Sequence, residues 1–341
     1  MRELLYPLSF VYKAGLEIDK RLTLKKELPK PVISVGNITW GGTGKTPLVI
    51  KTAKYCLALG LKPCVLTRGY KRKSGSSVLV SDAEEILVPP ALCGDEPYLI
   101  AQSVKGAIVI SASDRFSAAM TALNRFAPDV FILDDGFQHW SLKRDLDIVC
   151  INSQNPFGNG LLIPAGILRE PVSSLRRAGI VVLTNTELSK ENESVEKKLF
   201  DELGISALKS KYVPTGLTRL KDKKEFTVSV LDNKNVCALS AIGENAQFKK
   251  TLESSGFSVR RHFTFRDHHW YSQEELEVIL SLLGKDSLLL TTSKDAVRIS
   301  LILDSVESAN AEKVYSFNVD PIFQSGEKIW ENEIKKAARF S

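Results

Sequence analysis

The chain has 341 residues, of which 43% are hydrophobic and 25% charged, and its formal net charge is +6. This composition is typical of a globular protein of one or two domains that buries a core. The basic excess favours an acidic partner, such as a nucleotide or a phosphorylated molecule, but is too weak to indicate a nucleic acid. No apolar run reaches the roughly 18–20 residues of a membrane span. The five cysteines are far apart and unpaired in spacing, which argues against a disulfide framework or a zinc site and favours a reducing cytoplasm.

The first 30 residues form an apolar, aromatic stretch with basic residues around it. Pro7 and Lys13 interrupt the stretch and no small-residue cleavage site follows, so a signal peptide is not indicated. Two interpretations stay open, and one helix could satisfy both. The segment 1–30 is either a basic amphipathic helix in a membrane interface or an N-terminal helix packed on the core.

A phosphate-binding loop is the strongest motif of the chain. An apolar β-branched run beginning at Pro31 leads into a glycine cluster, and Lys45 and Thr46 open a predicted helix. Backbone N–H groups of such a loop surround phosphate oxygens, the lysine reaches the β- and γ-phosphates, and the hydroxyl holds Mg²⁺. The usual pattern has glycine where this chain has Thr39, so the loop is a variant. The residues predicted to contact the nucleotide are Gly41, Gly42, Thr43, Gly44, Lys45 and Thr46.

Strand and helix candidates alternate after this loop. Such alternation predicts an α/β fold, a P-loop NTPase-like and mostly parallel sheet with helices on both faces. The strand predictions are 63–67, 107–111, 129–134, 146–151 and 179–184, and the helix predictions are 96–104 and 114–126.

A smaller α/β lobe is predicted in the last third of the chain. We assign residues 31–205 to the P-loop kinase domain, 206–232 to a β-ribbon linker and 233–341 to the second lobe. Strands are predicted there at 235–239, 258–263, 287–292 and 313–317, and helices at 244–255, 273–283, 294–301 and 326–340.

Two acids end the predicted strand 129–134. Asp134 and Asp135 follow an apolar run, as in a Walker B motif, where an acid beside the P-loop strand binds Mg²⁺ directly or through water. Asp95 opens the helix 96–104, where it either caps the helix or acts as a general base toward a hydroxyl group. Sequence alone leaves both interpretations of Asp95 open.

Arginines and a second carboxylate extend the candidate site. Arg68 and Arg115 each follow a strand, which directs them toward a nucleotide cleft, although surface ion pairs are the alternative. The Pro- and Gly-rich segment 161–171 carries Arg169 and Glu170. Arg169 could neutralise charge on a transferring phosphoryl group, and Glu170 could be another Mg²⁺ ligand.

Three of the four histidines lie at 262, 268 and 269. The lack of a Glu-x-x-His or cysteine spacing disfavours zinc, and a histidine that pairs with a carboxylate base fits better. Lys294 and Asp295 are adjacent, so they do not form the spaced Thr-Lys-x-Asp motif of guanine-binding proteins. A substrate-facing lysine and a helix start both remain possible for Lys294.

Together these motifs resemble the tetraacyldisaccharide 4′-kinases of lipid A biosynthesis, in order and over most of the chain. The block Asp134–His139 is far more specific than the P-loop. The matching segments are 34–37, 41–47, 68–70, 94–97, 134–139, 168–171, 267–268 and 293–296.

The resemblance implies transfer of the γ-phosphate of ATP to the 4′-hydroxyl of an acylated glucosamine disaccharide 1-phosphate, which gives lipid IVA. It implies ATP and Mg²⁺, a cleft between two lobes, and a location at the cytoplasmic face of the bacterial inner membrane, peripheral or monotopic. We also expect a monomer and no nucleic acid partner. Asp95 then matches the base and His268 its partner. The other implied catalytic residues are Lys45, Arg169 and Arg115, and the implied metal ligands are Thr46, Asp134, Asp135 and Glu170.

Two rival hypotheses remain at this level. A P-loop nucleotide switch or metallochaperone shares the Gly-Gly-x-Gly-Lys-Thr loop but needs no base for a sugar hydroxyl. A kinase of a water-soluble sugar would need no membrane contact through residues 1–20.

Overall fold

A computed structural model describes residues 5–69, 77–189, 192–228, 235–284 and 287–340. Tyr70 of the predicted 68–70 motif, the first four residues of the predicted N-terminal helix and residues 229–232 of the predicted linker lie outside the described residues.

The described residues form an α/β fold, as predicted. The strands are β1 Val32–Asn37, β2 Pro63–Thr67, β3 Val78–Asp82, β4 Ile108–Ser111, β5 Val130–Asp134, β6 Leu146–Asn152, β7 Ile180–Thr184, β8 Leu208–Arg219, β9 Glu225–Phe226, β10 Asn235–Ser240, β11 Ser258–Thr264, β12 Leu288–Thr292 and β13 Val314–Ser325. The helices are α1 Tyr6–Leu22, α2 Lys45–Ala58, α3 Pro90–Cys93, α4 Asp95–Ser103, α5 Arg115–Phe126, α6 Asn192–Leu203, α7 Asn245–Ser254, α8 Gln273–Ser281, α9 Ser293–Ile299 and α10 Glu327–Ala337.

The P-loop strand β1 lies between β5 and β6 and is parallel to both. All six of its residues are buried, because neighbouring strands cover its edges and helices cover the sheet faces. The strand order β7-β6-β1-β5-β2-β4 brings the carboxyl ends of parallel strands together beside the P-loop. Nucleotide sites of open α/β sheets form at this edge.

One sheet runs through both lobes in the described residues. Long antiparallel strands β8 and β13 join the first set of strands to β12, β10 and β11, which are parallel. The sequence predicted only residues 313–317 of β13. Its later part contains Asn318, Asp320 and Pro321, which weaken a strand pattern, but pairing with β8 keeps this part extended.

The edge strand β3 was not predicted. It pairs antiparallel with β4, and its half-buried pattern gives a weaker sequence signal than the fully buried central strands.

The last helix, α10, packs on the first lobe, although the sequence analysis assigned it to the second. Trp330 and Ile334 are buried in the same hydrophobic cluster as Ile33, Val35 and Leu48. The helix that comes last in the sequence thus packs with the lobe that comes first. The predicted boundaries between the lobes stay a prediction.

The N-terminal helix α1 is attached to the segment 161–171. Ser9 donates a hydrogen bond to the Leu162 carbonyl oxygen (2.8 Å), and the Tyr12 hydroxyl donates to the Arg169 carbonyl oxygen (2.9 Å). Six of its large apolar side chains are exposed: Tyr6, Leu8, Phe10, Val11, Ile18 and Leu22. The helix thus combines hydrogen bonds to the segment 161–171 with an exposed apolar surface. None of the helices in the described residues is both long and apolar enough to cross a bilayer.

Candidate active site

The P-loop is shaped by its glycines and by buried polar contacts. Gly41 and Gly44 have φ values of 111° and 76°, which L side chains rarely adopt. The Asn37 side chain donates hydrogen bonds to the Thr39 carbonyl oxygen (2.7 Å) and to the Thr43 hydroxyl (2.9 Å). These contacts hold the loop in place just before α2 begins.

Two carboxylates and two cations meet beside this loop. Asp135 forms ion pairs with Arg169 (Nη1–Oδ2, 2.8 Å) and Lys45 (Nζ–Oδ1, 3.7 Å). Asp134, at the end of β5, accepts a hydrogen bond from the Thr67 hydroxyl at 3.0 Å. The structure therefore brings together four of the residues that the sequence analysis selected for phosphate and metal chemistry.

The two neighbouring aspartates have opposite pKa shifts. Burial, together with the charges of Glu96 and Asp135, raises the pKa of Asp134 to about 7. Burial also opposes the charged form of Asp135, but Lys45 and Arg169 outweigh it and lower its pKa to about 2. Asp134 thus lies in a locally negative environment, which a cation would stabilise.

A carboxylate–histidine pair connects the two lobes. Asp95, at the first position of α4, lies 3.0 Å from Nδ1 of His268, which follows β11 in the second lobe. Both residues are buried, and His268 has a positive φ of 59°. Burial alone would raise the pKa of Asp95, but the His268 hydrogen bond and the Lys294 charge lower it below its usual value.

Two basic residues of α9 hold this pair from the second lobe. Lys294 Nζ lies 3.1 Å from His268 Nε2 and 3.0 Å from Glu96 Oε1. Burial opposes the charge of Lys294, but Glu96, Asp95 and Asp267 raise its pKa, so it stays an ammonium group. An ammonium group only donates hydrogen bonds, so a hydrogen bond from Lys294 to Nε2 of His268 leaves Nδ1 as the ring nitrogen that donates to Asp95. The fully buried Arg298 contacts the same Asp95 carboxylate at 3.2 Å.

The remaining predicted residues border this cluster. Arg115 is buried and donates to the Asp134 carbonyl oxygen at 3.4 Å. Glu170 accepts hydrogen bonds from Arg177 (2.8 Å) and Gln138 (2.8 Å). Thr46 is the second residue of α2, and Arg68 is exposed after β2.

The three clustered histidines do not share a site. His262 hydrogen bonds with Ser240 and His269 with Glu275, while His268 faces Asp95. Within the described ranges, no group of three or more His, Cys, Asp or Glu side chains is arranged to hold a metal ion.

Comparison with known proteins shows the same family relationship that the sequence motifs indicate. The family model described as tetraacyldisaccharide-1-P 4′-kinase matches residues 1–339 of the chain. The chain belongs to this family. It is therefore an ATP-dependent kinase of lipid A biosynthesis, as the sequence analysis predicted.

Curated relatives carry the same description. The tetraacyldisaccharide 4′-kinase of Syntrophus aciditrophicus is 39% identical over 315 residues, which cover 87% of this chain and 84% of the relative. The tetraacyldisaccharide 4′-kinase of Chlorobium phaeobacteroides is 35% identical, and the match covers 96% of this chain and 95% of the relative.

A solved structure supports the fold. The crystal structure described as the "apo" form of LpxK from Aquifex aeolicus in complex with ATP is 33% identical. It covers 98% of this chain and 99% of its own, with a TM-score of 0.80. The predicted P-loop NTPase-like α/β fold is confirmed.

Sequence reasoning about this family member missed three supporting residues. Arg177 and Gln138 hold Glu170, and Arg298 holds Asp95. Gln138 lies inside the block Asp134–His139 that carried the resemblance, so its position gave a usable signal. Arg177 and Arg298 lie in ordinary helical sequence, and only the fold brings them to these carboxylates.

Proposed function

We propose that this chain transfers the γ-phosphate of ATP to the 4′-hydroxyl of tetraacyldisaccharide 1-phosphate and so forms lipid IVA. The observation that carries the proposal is the buried Asp95–His268 pair at the junction of the lobes. A nucleotide switch needs no such pair, whereas transfer to a sugar hydroxyl needs a group that accepts its proton.

In this proposal the 4′-hydroxyl oxygen attacks the γ-phosphorus of ATP. The bond to the β,γ-bridging oxygen breaks, ADP leaves, and the hydroxyl proton passes to Asp95. His268 donates to the carboxylate and keeps it oriented, while Lys45 and Arg169 stabilise negative charge on the transferring group. Phosphoryl transfer depends mainly on such positioning and charge stabilisation.

The oxygen donors of the site fit Mg²⁺. Asp134 and Asp135 supply carboxylates and Thr46 a hydroxyl, and Mg²⁺ is usually bound by one or two carboxylates with substrate phosphates and water. We propose these three residues as its ligands. When bound, Mg²⁺ would neutralise charge on the phosphates. Glu170 is already engaged by Arg177 and Gln138, and Asp135 by Arg169 and Lys45, so a metal contact at either carboxylate requires exchange of these partners.

We also propose that the protein works at the cytoplasmic face of the inner membrane, as a monomer. The exposed apolar side chains of α1 support a peripheral contact with the lipid surface. A tetraacylated acceptor would be presented at such a surface.

The first experiment measures transfer from radiolabelled ATP to tetraacyldisaccharide 1-phosphate in detergent micelles with Mg²⁺. We expect labelled bisphosphate from the wild type, and a kcat lowered by about 10²–10⁴-fold in Asp95→Ala with little change in the KM for ATP, because the proton acceptor is lost.

A matched control separates catalysis from helix capping. Ser272 caps α8, and Ser272→Ala should lose about 1 kcal/mol of stability without a comparable loss of kcat. Asp95 is not the N-cap of α4, which is Gly94 without a side-chain cap, so the capping interpretation of Asp95 is wrong. If Asp95→Ala nevertheless behaved like Ser272→Ala, Asp95 would only stabilise the fold. Slow phosphate release with no transfer by the wild type would favour the nucleotide switch.

Removal of the P-loop lysine tests the phosphate assignment. We expect Lys45→Ala to lose about 3 kcal/mol of transition-state stabilisation, by analogy with loss of one preorganised donor. Lys54→Ala, an exposed lysine on the same helix, is the control and should keep its kcat. Near-normal turnover of Lys45→Ala would remove this lysine from the proposed mechanism.

A further inference from the structure

A basic cavity lies between the C-terminal part of α1 and the loop 140–144. Its volume is about 480 Å³. Two acids line it, Glu17 and Asp147, against a larger set of cations. The cations are Lys20, Arg21, Lys25, Lys143, Arg144 and Arg177. The cavity therefore has a strongly positive lining in a protein whose overall net charge is only +6.

The walls of the cavity are fixed by backbone and aromatic contacts. The Lys26 N–H donates to the Ser141 carbonyl oxygen (2.8 Å), and the Lys143 N–H donates back to the Lys26 carbonyl oxygen (2.9 Å). Trp140 is buried and stacks with cations, with Lys20 Nζ at 5.3 Å and the Arg177 guanidinium at 4.6 Å from its ring centre. Lys20 and Arg177 are thus held against Trp140 at one wall of the space, beside the exposed side chains of Arg21 and Lys25.

Among the residues that the structure describes, half of these cations have no acidic partner. Lys143 pairs with Glu27, Arg144 with Asp147, and Arg177 with Glu170. For Lys20, Arg21 and Lys25 no ion pair is formed within the part of the chain that the structure describes. These three side chains all come from α1 or the residues just after it, so an anion in the cavity would find uncompensated charge there.

The surroundings of the cavity indicate where its anion comes from. Ile18, Leu22 and Leu24 lie on the same segment and are 57%, 76% and 86% exposed. Exposed apolar side chains beside uncompensated cations are typical of a segment in a membrane interface, where acyl chains contact the former and lipid phosphates the latter.

We propose that this cavity binds the head-group phosphate of an anionic phospholipid and anchors the C-terminal end of α1 at the membrane. The inference rests on the membrane association proposed above and adds a specific lipid site to it. Lys20, Arg21 and Lys25 contact the phosphate, and Trp140 forms part of the wall behind them.

The test is co-sedimentation of the full chain with vesicles of phosphatidylcholine alone or with added phosphatidylglycerol. Each cation near an anionic surface is worth about 1 kcal/mol, which corresponds to about fivefold in partitioning. The variant Lys20→Gln/Arg21→Gln/Lys25→Gln should therefore bind phosphatidylglycerol vesicles on the order of a hundredfold more weakly, with unchanged binding to phosphatidylcholine.

The matched comparison is Arg21→Gln against Lys13→Gln, because Lys13 lies on α1 but does not line the cavity. We expect about a fivefold loss for Arg21→Gln and a smaller one for Lys13→Gln. Equal losses would overturn the proposal in favour of diffuse attraction, as would unchanged binding by the triple variant.

Two further outcomes separate this site from the proposed function. If the wild type binds both vesicle types equally, membrane association stands and the head-group site is wrong. If the triple variant instead raises the KM for the acceptor in non-ionic micelles without phospholipid, the cavity holds the acceptor's 1-phosphate and the phospholipid assignment is overturned. Transfer activity in those micelles, measured on the wild type, tests the kinase proposal independently.

Discussion

At the scale of single residues, we propose that Lys294 acts on the reaction through another side chain. Its ammonium group lies 3.1 Å from His268 Nε2 and sets the direction of the hydrogen bond between His268 and Asp95. Lys294 also contributes to the lowered pKa of Asp95. We therefore assign it a positioning role.

We expect Lys294→Met to lower kcat on the order of 10-fold. This is smaller than the 10²–10⁴-fold rate enhancement of general-base catalysis, because the base itself is kept. Since loss of the ammonium charge raises the pKa of Asp95, the acidic limb of the kcat/KM profile should move to higher pH. Lys294→Arg keeps the charge and the donors and should restore part of the rate. A lowered rate with an unshifted pH profile in Lys294→Met would contradict this role.

The residues of the candidate site that belong to a short, contiguous sequence motif could be predicted from the sequence. Lys45 and Thr46 follow a glycine cluster, and Asp134 and Asp135 end a buried strand, so their chemistry follows from adjacent residues. The pairing of Asp95 with His268 spans 173 positions. From the residues alone it was one of two interpretations of Asp95, and only the fold brings the pair together.

At the scale of elements, α10 completes the first lobe. Trp330 is 1% exposed and packs with Tyr55 of α2 and Phe323 of β13, at ring-centre distances of 5.0 and 5.3 Å. The sequence pattern predicted a helix here but gave no signal of its neighbours. Periodicity shows which face of a helix is apolar, and not which surface covers that face.

Truncation of this tryptophan should destabilise the protein strongly. We expect Trp330→Ala to cost about 3–5 kcal/mol in unfolding free energy, because it leaves a large cavity in the core. Ile329 is the neighbouring residue and is 57% exposed, so Ile329→Ala should change stability by no more than about 0.5 kcal/mol. Denaturant titration compares the two variants, and similar midpoints would show that α10 contributes little to this core.

At the scale of the whole molecule, a buried charge network joins the lobes. Arg298 of the second lobe is fully buried and pairs with Asp95 of the first lobe and Asp295 of its own helix. Such a pair contributes little beyond an apolar substitute, but loss of one partner leaves a buried charge without compensation.

We expect Arg298→Met to cost about 3–5 kcal/mol, because both carboxylates lose their guanidinium partner. Arg260→Met is the control, since Arg260 is exposed and bonds only to the Asn235 side chain among the described residues. Thermal unfolding measures both. A midpoint of Arg298→Met equal to that of the control would mean that water or other groups replace the guanidinium.

The alternation of strands and helices predicted the architecture at this scale, and the central strands were placed within about a residue. That one sheet continues from the first lobe into the second could not be predicted from this alternation. It depends on β8 and β13, whose pairing joins residues about a hundred positions apart, and polar residues inside β13 conceal that strand locally.

The packing of α10 also determines when the first lobe can finish folding during synthesis. Trp330 and Ile334 share a cluster with Ile33 and Val35, although the two pairs lie roughly 300 positions apart in the sequence. During synthesis the P-loop strand leaves the ribosome long before these two side chains do. Part of the apolar surface of the first lobe therefore stays uncovered until α10 has been synthesised.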